Sequence, residues 1–257
     1  MKPLFTVYVS VIYLFLYVPL AVLGVFSFNA SKISVWRGFT FGWYAQVFHN
    51  STLLESALNS LLIAFLATLA ATVIGTLAAY AIWKRRAPVF TASLYFSLVT
   101  PEIVTGVSLL VLFQMIFRVL RVQLGIHTVI LAHISFCLAY VVLVVLARLR
   151  ALDATLEEAA LDLGASHWEA FRLVTLPLMM PGVIAAALLC FTVSFDDYVI
   201  TSLVAGVNSE TLPMVIYAMA RKGVSPEVNA LSAIITVGLG ALILLAGRFE
   251  RGTGSDL

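Results

Sequence analysis

Charge is what this chain has least of. Only 11% of its 257 residues are Asp, Glu, Lys or Arg, while 62% are hydrophobic. A soluble domain carries roughly a quarter charged residues. A chain this poor in charge cannot cover a globular surface with water-binding groups, so the composition points to a polytopic membrane protein. Its two cysteines, Cys137 and Cys190, both fall within apolar stretches, which argues against a disulfide framework and a thiolate metal site. The four histidines, His49, His127, His133 and His167, have no ligand spacing, so no metal or other cofactor is expected. No G-x-x-x-x-G-K-[ST] occurs, and nothing here can cradle ATP phosphates in the P-loop manner. Energy for any transport must come from a partner or an ion gradient. Nothing in the sequence points to nucleic acid.

Six apolar segments are long enough to cross ~30 Å of hydrocarbon, near residues 5–28, 53–83, 89–117, 128–147, 178–204 and 230–247. The second is long enough to tilt or to project from the bilayer. The first is too long for a signal-peptide core, and Phe26-Ser27-Phe28-Asn29 offers no small-x-small cleavage site, so it should stay as an anchor. With the N-terminus inside, the larger share of the 15 Lys and Arg residues falls on the inner side, led by Lys84-Arg85-Arg86 beside a span. That bias favours cytoplasmic N- and C-termini. Trp36, Trp43 and Tyr44 then lie in the first outer loop with Phe39 and Phe41. There they read as an aromatic belt rather than a binding site.

Residues 150–177 form the one long polar passage between spans, and this orientation puts it in the cytoplasm. Over 156–163 the residues favour a helix, with Glu158 and Asp162 four apart on one face beside Ala159, Ala160 and Leu163. Gly164 permits a tight turn. A second helical stretch from Ser166 carries Trp168, Phe171 and Leu173-Val174. Pro177, lacking an N–H, is expected to end it before the next span.

Glu158-Ala159-Ala160, three residues, Gly164, nine residues and Val174-Thr175-Leu176-Pro177 resemble the EAA loop of binding-protein-dependent ABC importer permeases. Val174 stands where Ile is usual and keeps a β-branched apolar side chain. The resemblance implies an all-α membrane protein of the type I importer permease fold, with six transmembrane helices in a single permease domain over 1–257. It further implies that Glu158, Ala159, Ala160, Asp162, Gly164, Leu176 and Pro177 couple the permease to a separate ATPase. The other implied partners are two ATP-binding subunits, a second homologous permease and a substrate-binding protein outside the membrane. The chain itself would be no enzyme.

Acids at membrane depth cost on the order of 2.5–3.5 kcal/mol on insertion scales and usually face a bundle interior or water. Glu102 and the pair Asp196-Asp197 are of this kind. At 1.5 Å per residue they lie about 20 Å and about 27 Å along the third and fifth segments, both in the outer half. Pro101 introduces a kink that could open carbonyls towards a cavity. Adjacent helical residues point about 100° apart, so at most one of the pair faces a pathway directly.

Thr100-Pro101-Glu102-Ile103-Val104, Ser194-Phe195-Asp196-Asp197-Tyr198, Thr211-Leu212-Pro213-Met214 and the stretch from Gly223 to Ala230 are similar to spermidine/putrescine permeases of the PotC type. Phe195 stands where Leu is common. This narrower resemblance implies import of a small cationic polyamine in a bacterial inner membrane, with Glu102, Asp196, Asp197 and Tyr198 along the path. Carboxylates would meet ammonium groups and Tyr198 would offer a cation–π face. Related importers for opines, thiamine or iron share parts of these motifs. An ion-coupled secondary transporter would show an internal repeat, which is not visible, and would leave the loop unexplained.

Overall fold

The computed structural model describes residues 2–31, 35–85, 87–153, 155–221 and 226–253. Among them the chain is helical, with one isolated antiparallel bridge between Asn29 and Phe39. The helices are α1 (Lys2–Phe26), α2 (Gly42–His49), α3 (Ser51–Arg85), α4 (Pro88–Val99), α5 (Glu102–Leu120) and α6 (Ile126–Arg150). They continue with α7 (Thr155–Asp162), α8 (His167–Ala170), α9 (Leu176–Asp196), α10 (Val199–Val204), α11 (Leu212–Arg221) and α12 (Pro226–Thr253). A π-helical turn, Phe171–Thr175, joins α8 to α9.

Five helical runs among the described residues are long and apolar enough to cross a membrane: Phe5–Phe26, Ser51–Arg85, Glu102–Val119, Ile126–Arg150 and His167–Asp196. The last expected segment, 230–247, lies within the 28-residue α12. At 35 residues α3 spans about 52 Å, well beyond a ~30 Å hydrocarbon core.

Two expected segments are not continuous helices. The third divides between α4 and α5, because Pro101 supplies no N–H and holds Thr100 in an extended conformation (φ −64°, ψ 127°). A break stands where the sequence suggested a kink. The fifth stops at Asp196, where Asp197 turns extended (φ −67°, ψ 126°) before α10 begins. Pro177 errs in the opposite direction: it does not end the helix before the span. The π turn lets the Leu176 N–H reach back five residues to the Phe171 carbonyl, and Pro177 follows in the first turn of α9, where a missing donor costs little. The run from His167 to Asp196 stays helical for 30 residues.

The chain divides into two compact units. In the larger, Ser56–Met214, α6 is the central element, and it packs along α9 and against α4. Ala64, Ala67, Ala71 and Ala79 form a fully buried stripe on α3. Within that stripe, a β-carbon on Gly75 would lie 2.7 Å from Val141 Cγ1 of α6. Lipid tails are as apolar as Leu, so helices in a bilayer gain little by hiding apolar area from one another. Small residues that admit a close approach gain dispersion contacts instead. Val141, Val145 and Leu149 of α6, with Met179, Ala186 and Cys190 of α9, complete this core at zero exposure.

The smaller unit, Met1–Glu55 with Val215–Leu257, contains α1, α2 and α12. Its aromatic loop is internally packed: Trp43 Nε1 donates to the Asn29 carbonyl at 2.8 Å, Ser27 Oγ and the Tyr44 hydroxyl lie 2.7 Å apart, and Phe28 stacks on Phe39. These rings hold the loop. Asn50 Nδ2 donates to Glu227 Oε1, which gives one residue of the Gly223 to Ala230 stretch a structural role. Gly223, Val224 and Ser225 lie outside the described residues, as does Arg86 of the basic cluster.

The α3–α6 contact has a direct test. Gly75→Ala should overpack it and cost about 1–3 kcal/mol, read as a lower thermal midpoint of the detergent-solubilised protein. Adding Val141→Ala should recover most of that loss. An unchanged midpoint for the single variant would show that the contact is looser than described.

Candidate functional site

The polar passage folds into two short helices joined by a capped corner. Asp153 Oδ1 accepts from the Thr155 N–H and hydroxyl just ahead of α7. At its far end Gly164 has φ +91°, the Gly164 N–H donates to Leu161 and the Ala165 N–H to Ala160. That bond pair is a Schellman termination, whose positive-φ position favours glycine. A β-carbon on Gly164 would meet nothing within 4 Å, so the demand for glycine comes from the backbone conformation rather than crowding. Ser166 then caps α8: its hydroxyl accepts from the Glu169 N–H, and Glu169 Oε2 accepts from the Ser166 N–H. The hydrogen bonds from Ser166 hold the Glu169 carboxyl below its ordinary pKa.

Glu158, Ala159, Asp162, Gly164 and Pro177 are exposed, while Ala160 and Leu176 are half-buried. Leu163, Trp168 and Leu173 add exposed apolar side chains to the same short segment, at 90%, 64% and 70% exposure. The sequence singled out Glu158, but the neighbouring Glu157 is the acid that turns inward. At 2% exposure, its Oε1 takes a 2.9 Å ion pair from Lys84 and a 2.8 Å hydrogen bond from Tyr80, and Oε2 accepts from the Thr175 hydroxyl at 3.0 Å. Burial acts to raise the Glu157 pKa. The bonds from Lys84, Tyr80 and Thr175 outweigh it and hold the carboxyl below its usual range. A signal for it was present, since Ala160 and Leu161 follow at helical spacing and face the same way.

The two helix breaks meet. Thr100, Glu102 and Thr105 from one, with Asp196, Asp197 and Tyr198 from the other, line a single cavity of about 400 Å³, to which Phe136 and Tyr140 of α6 also contribute. All four residues expected along a path are therefore together. α5 and α10 pack closely beside it, and a β-carbon on Gly106 would lie 2.6 Å from Leu203 Cδ1.

Within the cavity the two adjacent aspartates do different work. Asp197 Oδ2 accepts from the Thr201 N–H at 2.8 Å and the Thr201 hydroxyl at 2.7 Å, and Oδ1 accepts from the Ile200 N–H at 3.4 Å. This carboxylate caps α10 at the positive end of its dipole. His133 of α6 is 1% exposed and braces the same point. Its Nδ1 lies 2.7 Å from Ser194 Oγ, and its Nε2 lies 2.9 Å from Thr201 Oγ1 and 3.5 Å from Asp197 Oδ2. The sequence showed only that His133 lacks ligand spacing, because its partners come from two later helices.

Asp196 is exposed to the cavity and, like Glu102, has no hydrogen bond or ion pair among the described residues. Glu102 sits in the first turn of α5, where the helix dipole favours an acid. Asp196 is the last residue of α9, where the dipole is negative already and the carboxylate adds to it. α4 also ends at the cavity, beside Thr100. The arrangement suits a cation.

Residues 71–251 match the family described as binding-protein-dependent transport system inner membrane component. The chain belongs to that family. It is 41% identical over 97% of its length to the spermidine/putrescine transport system permease protein PotC of Shigella flexneri, covering 96% of that protein. It is 40% identical, over 90% of its length and 85% of the relative's, to the putrescine transport system permease protein PotI of Escherichia coli K12. Among solved structures, a bacterial alginate ABC transporter bound to a periplasmic protein carrying alginate pentasaccharide superposes with a TM-score of 0.76 at 16% identity, covering 97% of this chain and 94% of that one. The MetNI methionine ABC transporter superposes with a TM-score of 0.66 at 17% identity, covering 78% of this chain and 95% of that one. At these identities the structures establish the fold alone, an importer permease fold.

The unequal roles of the two aspartates in this permease can be measured. Asp197→Ala removes the acceptor for three bonds and should destabilise the protein by roughly 3 kcal/mol. Asp196→Asn removes no bond of this kind and relieves an unpaired charge, so it should leave stability unchanged or raise it. Thermal unfolding followed by tryptophan fluorescence would separate them, and equal midpoints for the two variants would contradict the division of labour.

Proposed function

We propose that this permease is the membrane-spanning subunit of an ATP-driven importer of spermidine and putrescine, working by alternating access. The observation that carries the reading is the meeting of two broken helices at one cavity, with two carboxylates unpaired among the described residues, in a chain about 40% identical to polyamine permeases. Broken helices at membrane depth are tolerated where their freed backbone lines a cavity, and their ends favour ions. A flexible polycation would place ammonium groups against Glu102 and Asp196 and a methylene or ammonium face near Tyr198.

The chain acts as one permease domain over 1–257 and hydrolyses nothing itself. Two ATP-binding subunits supply the energy, a second homologous permease completes the path, and an extracytoplasmic binding protein delivers substrate to the outer mouth. Glu158, Ala159, Ala160, Asp162 and Gly164, with Leu176 and Pro177 behind them, form the coupling surface. The bare outer face of α7 and the exposed Leu163 and Trp168 support that role. Closure of the ATPases moves this segment, and the bundle changes the side to which the cavity opens.

For the substrate, Glu102→Gln and Asp196→Asn each remove a charge with little change of volume. Losing a charge-assisted hydrogen bond is worth roughly 1.5–3 kcal/mol, so at least one variant should lower uptake of radiolabelled putrescine or spermidine by about tenfold. Wild-type uptake by both variants and by their combination, at equal amounts of complex, would exclude a cation path at this cavity.

For the orientation, the EAA loop lies in the cytoplasm and the loop between α10 and α11 outside, in an inner membrane with both termini cytoplasmic. Cysteines introduced at the exposed Leu163 and Val207 report this in intact cells. An impermeant thiol reagent should label position 207 and spare 163, while the native Cys137 and Cys190 stay silent because they are buried. The reverse pattern would invert the protein.

A further inference from the structure

Glu157 is the one buried residue of α7 among those described, and the three side chains that bind it belong to other elements. Tyr80 and Lys84 come from successive turns at the end of α3, and Thr175 closes the π turn at the head of α9. One carboxylate thus ties three separate pieces of chain together through contacts of 2.8–3.0 Å. An aromatic layer backs it. The Tyr80 ring lies 4.7 Å from that of Phe171, the first residue of the π turn, and Lys84 sits 5.3 Å above the Trp83 ring.

We infer that Glu157 is a positioning residue for energy coupling, the joint through which displacement of the EAA helix reaches α3 and α9. This rests on the function proposed above, in which the outer face of α7 meets an ATPase. A push on that face has to pass inward, and on the inward side α7 offers one buried side chain. An apolar contact there would let α7 slide, because dispersion has no direction. An ion pair with two further hydrogen bonds fixes register and distance at once. An ion pair buried at its Glu157 end and exposed at its Lys84 end adds little net stability, so stability alone does not account for this choice. The π turn suits the receiving end: its i to i+5 bonding is a register slip inside a helix, a place where a long helix can readjust without breaking.

The test uses the complete importer in proteoliposomes with its binding protein, measuring putrescine uptake and ATP hydrolysis together. Glu157→Gln keeps the shape and the acceptor for Tyr80 while removing the charge. Lys84→Met keeps most of the volume while removing the partner. Both should retain bound ATPase subunits and hydrolyse ATP within about twofold of wild type, with putrescine moved per ATP falling about fivefold or more. The double variant should be no worse than the weaker single, and Lys84→Arg should transport nearly as wild type.

If Glu157→Gln fails to assemble, Lys84→Met carries the same ratio. An unchanged ratio in assembled variants overturns the joint, and so does a parallel loss of uptake, hydrolysis and bound ATPase, which would mark a purely structural pair. A wild-type complex that hydrolyses ATP without moving putrescine or spermidine overturns the polyamine function itself, and the inference with it.

Discussion

The acceptor role of Asp197 is the interaction on which the cavity depends. Hydrocarbon offers no water to satisfy a broken backbone, so an interruption of a membrane helix survives only where protein supplies the missing partners. At the start of α10 the Asp197 carboxylate supplies them, accepting from Ile200 and Thr201, and His133 braces it from α6. With that end secured, α9 can stop at Asp196 and turn its last carboxylate towards the break in α4–α5. The opposite break needs less help, because Pro101 brings no N–H to satisfy and the Thr100 N–H already bonds the Phe96 carbonyl.

On the proposed function, the continuous helix from His167 to Asp196 connects the coupling segment with the cavity. Its 30 residues extend about 45 Å, with the π turn and Thr175 near one end and the cavity acids at the other. It packs along α6 through Met179, Ala186 and Cys190, all fully buried. Close packing transmits strain along such an element. On the proposed function, a shift imposed at Thr175 reaches Asp196 by this route. Had Pro177 ended the helix, as its chemistry alone suggests, this link would have been a hinge.

The places where sequence reasoning succeeded and failed share one physical cause. Gly164 was legible because a left-handed cap is a local backbone demand, and the Ala-rich run before it was legible because propensity is local too. The intramembrane acids singled out in the sequence come together at one cavity. What the sequence marked only faintly was which of two adjacent acids turned inward. Glu157 and Glu158 differ by about 100° on a helix, Asp196 and Asp197 straddle the end of one, and the outcome depends on Lys84, Tyr80, Thr175 and His133, residues far away in sequence. The prolines failed for a related reason. Pro101 broke its helix because Glu102 could start a new one at once, whereas Pro177 was absorbed because the π turn upstream had already shifted the bonding register.

The unpaired state of Glu102 and Asp196 is costly, and the manner in which it is tolerated constrains the passenger. Each acid at membrane depth carries a penalty on the order of 2.5–3.5 kcal/mol, and a nearby Arg or Lys would relieve it. Among the described residues the cavity wall offers none: Phe136, Tyr140, Thr192 and Val193 surround the acids with aromatic, hydroxyl and aliphatic groups. An internal cation would stabilise the resting protein but would occupy the place of a cationic solute and have to be displaced at each passage. On the proposed function, the negative charge is left for the solute to neutralise. The path then favours a polycation over a neutral solute of the same size through charge, while Asp197, already committed to α10, contributes to the field without being drawn out of its cap.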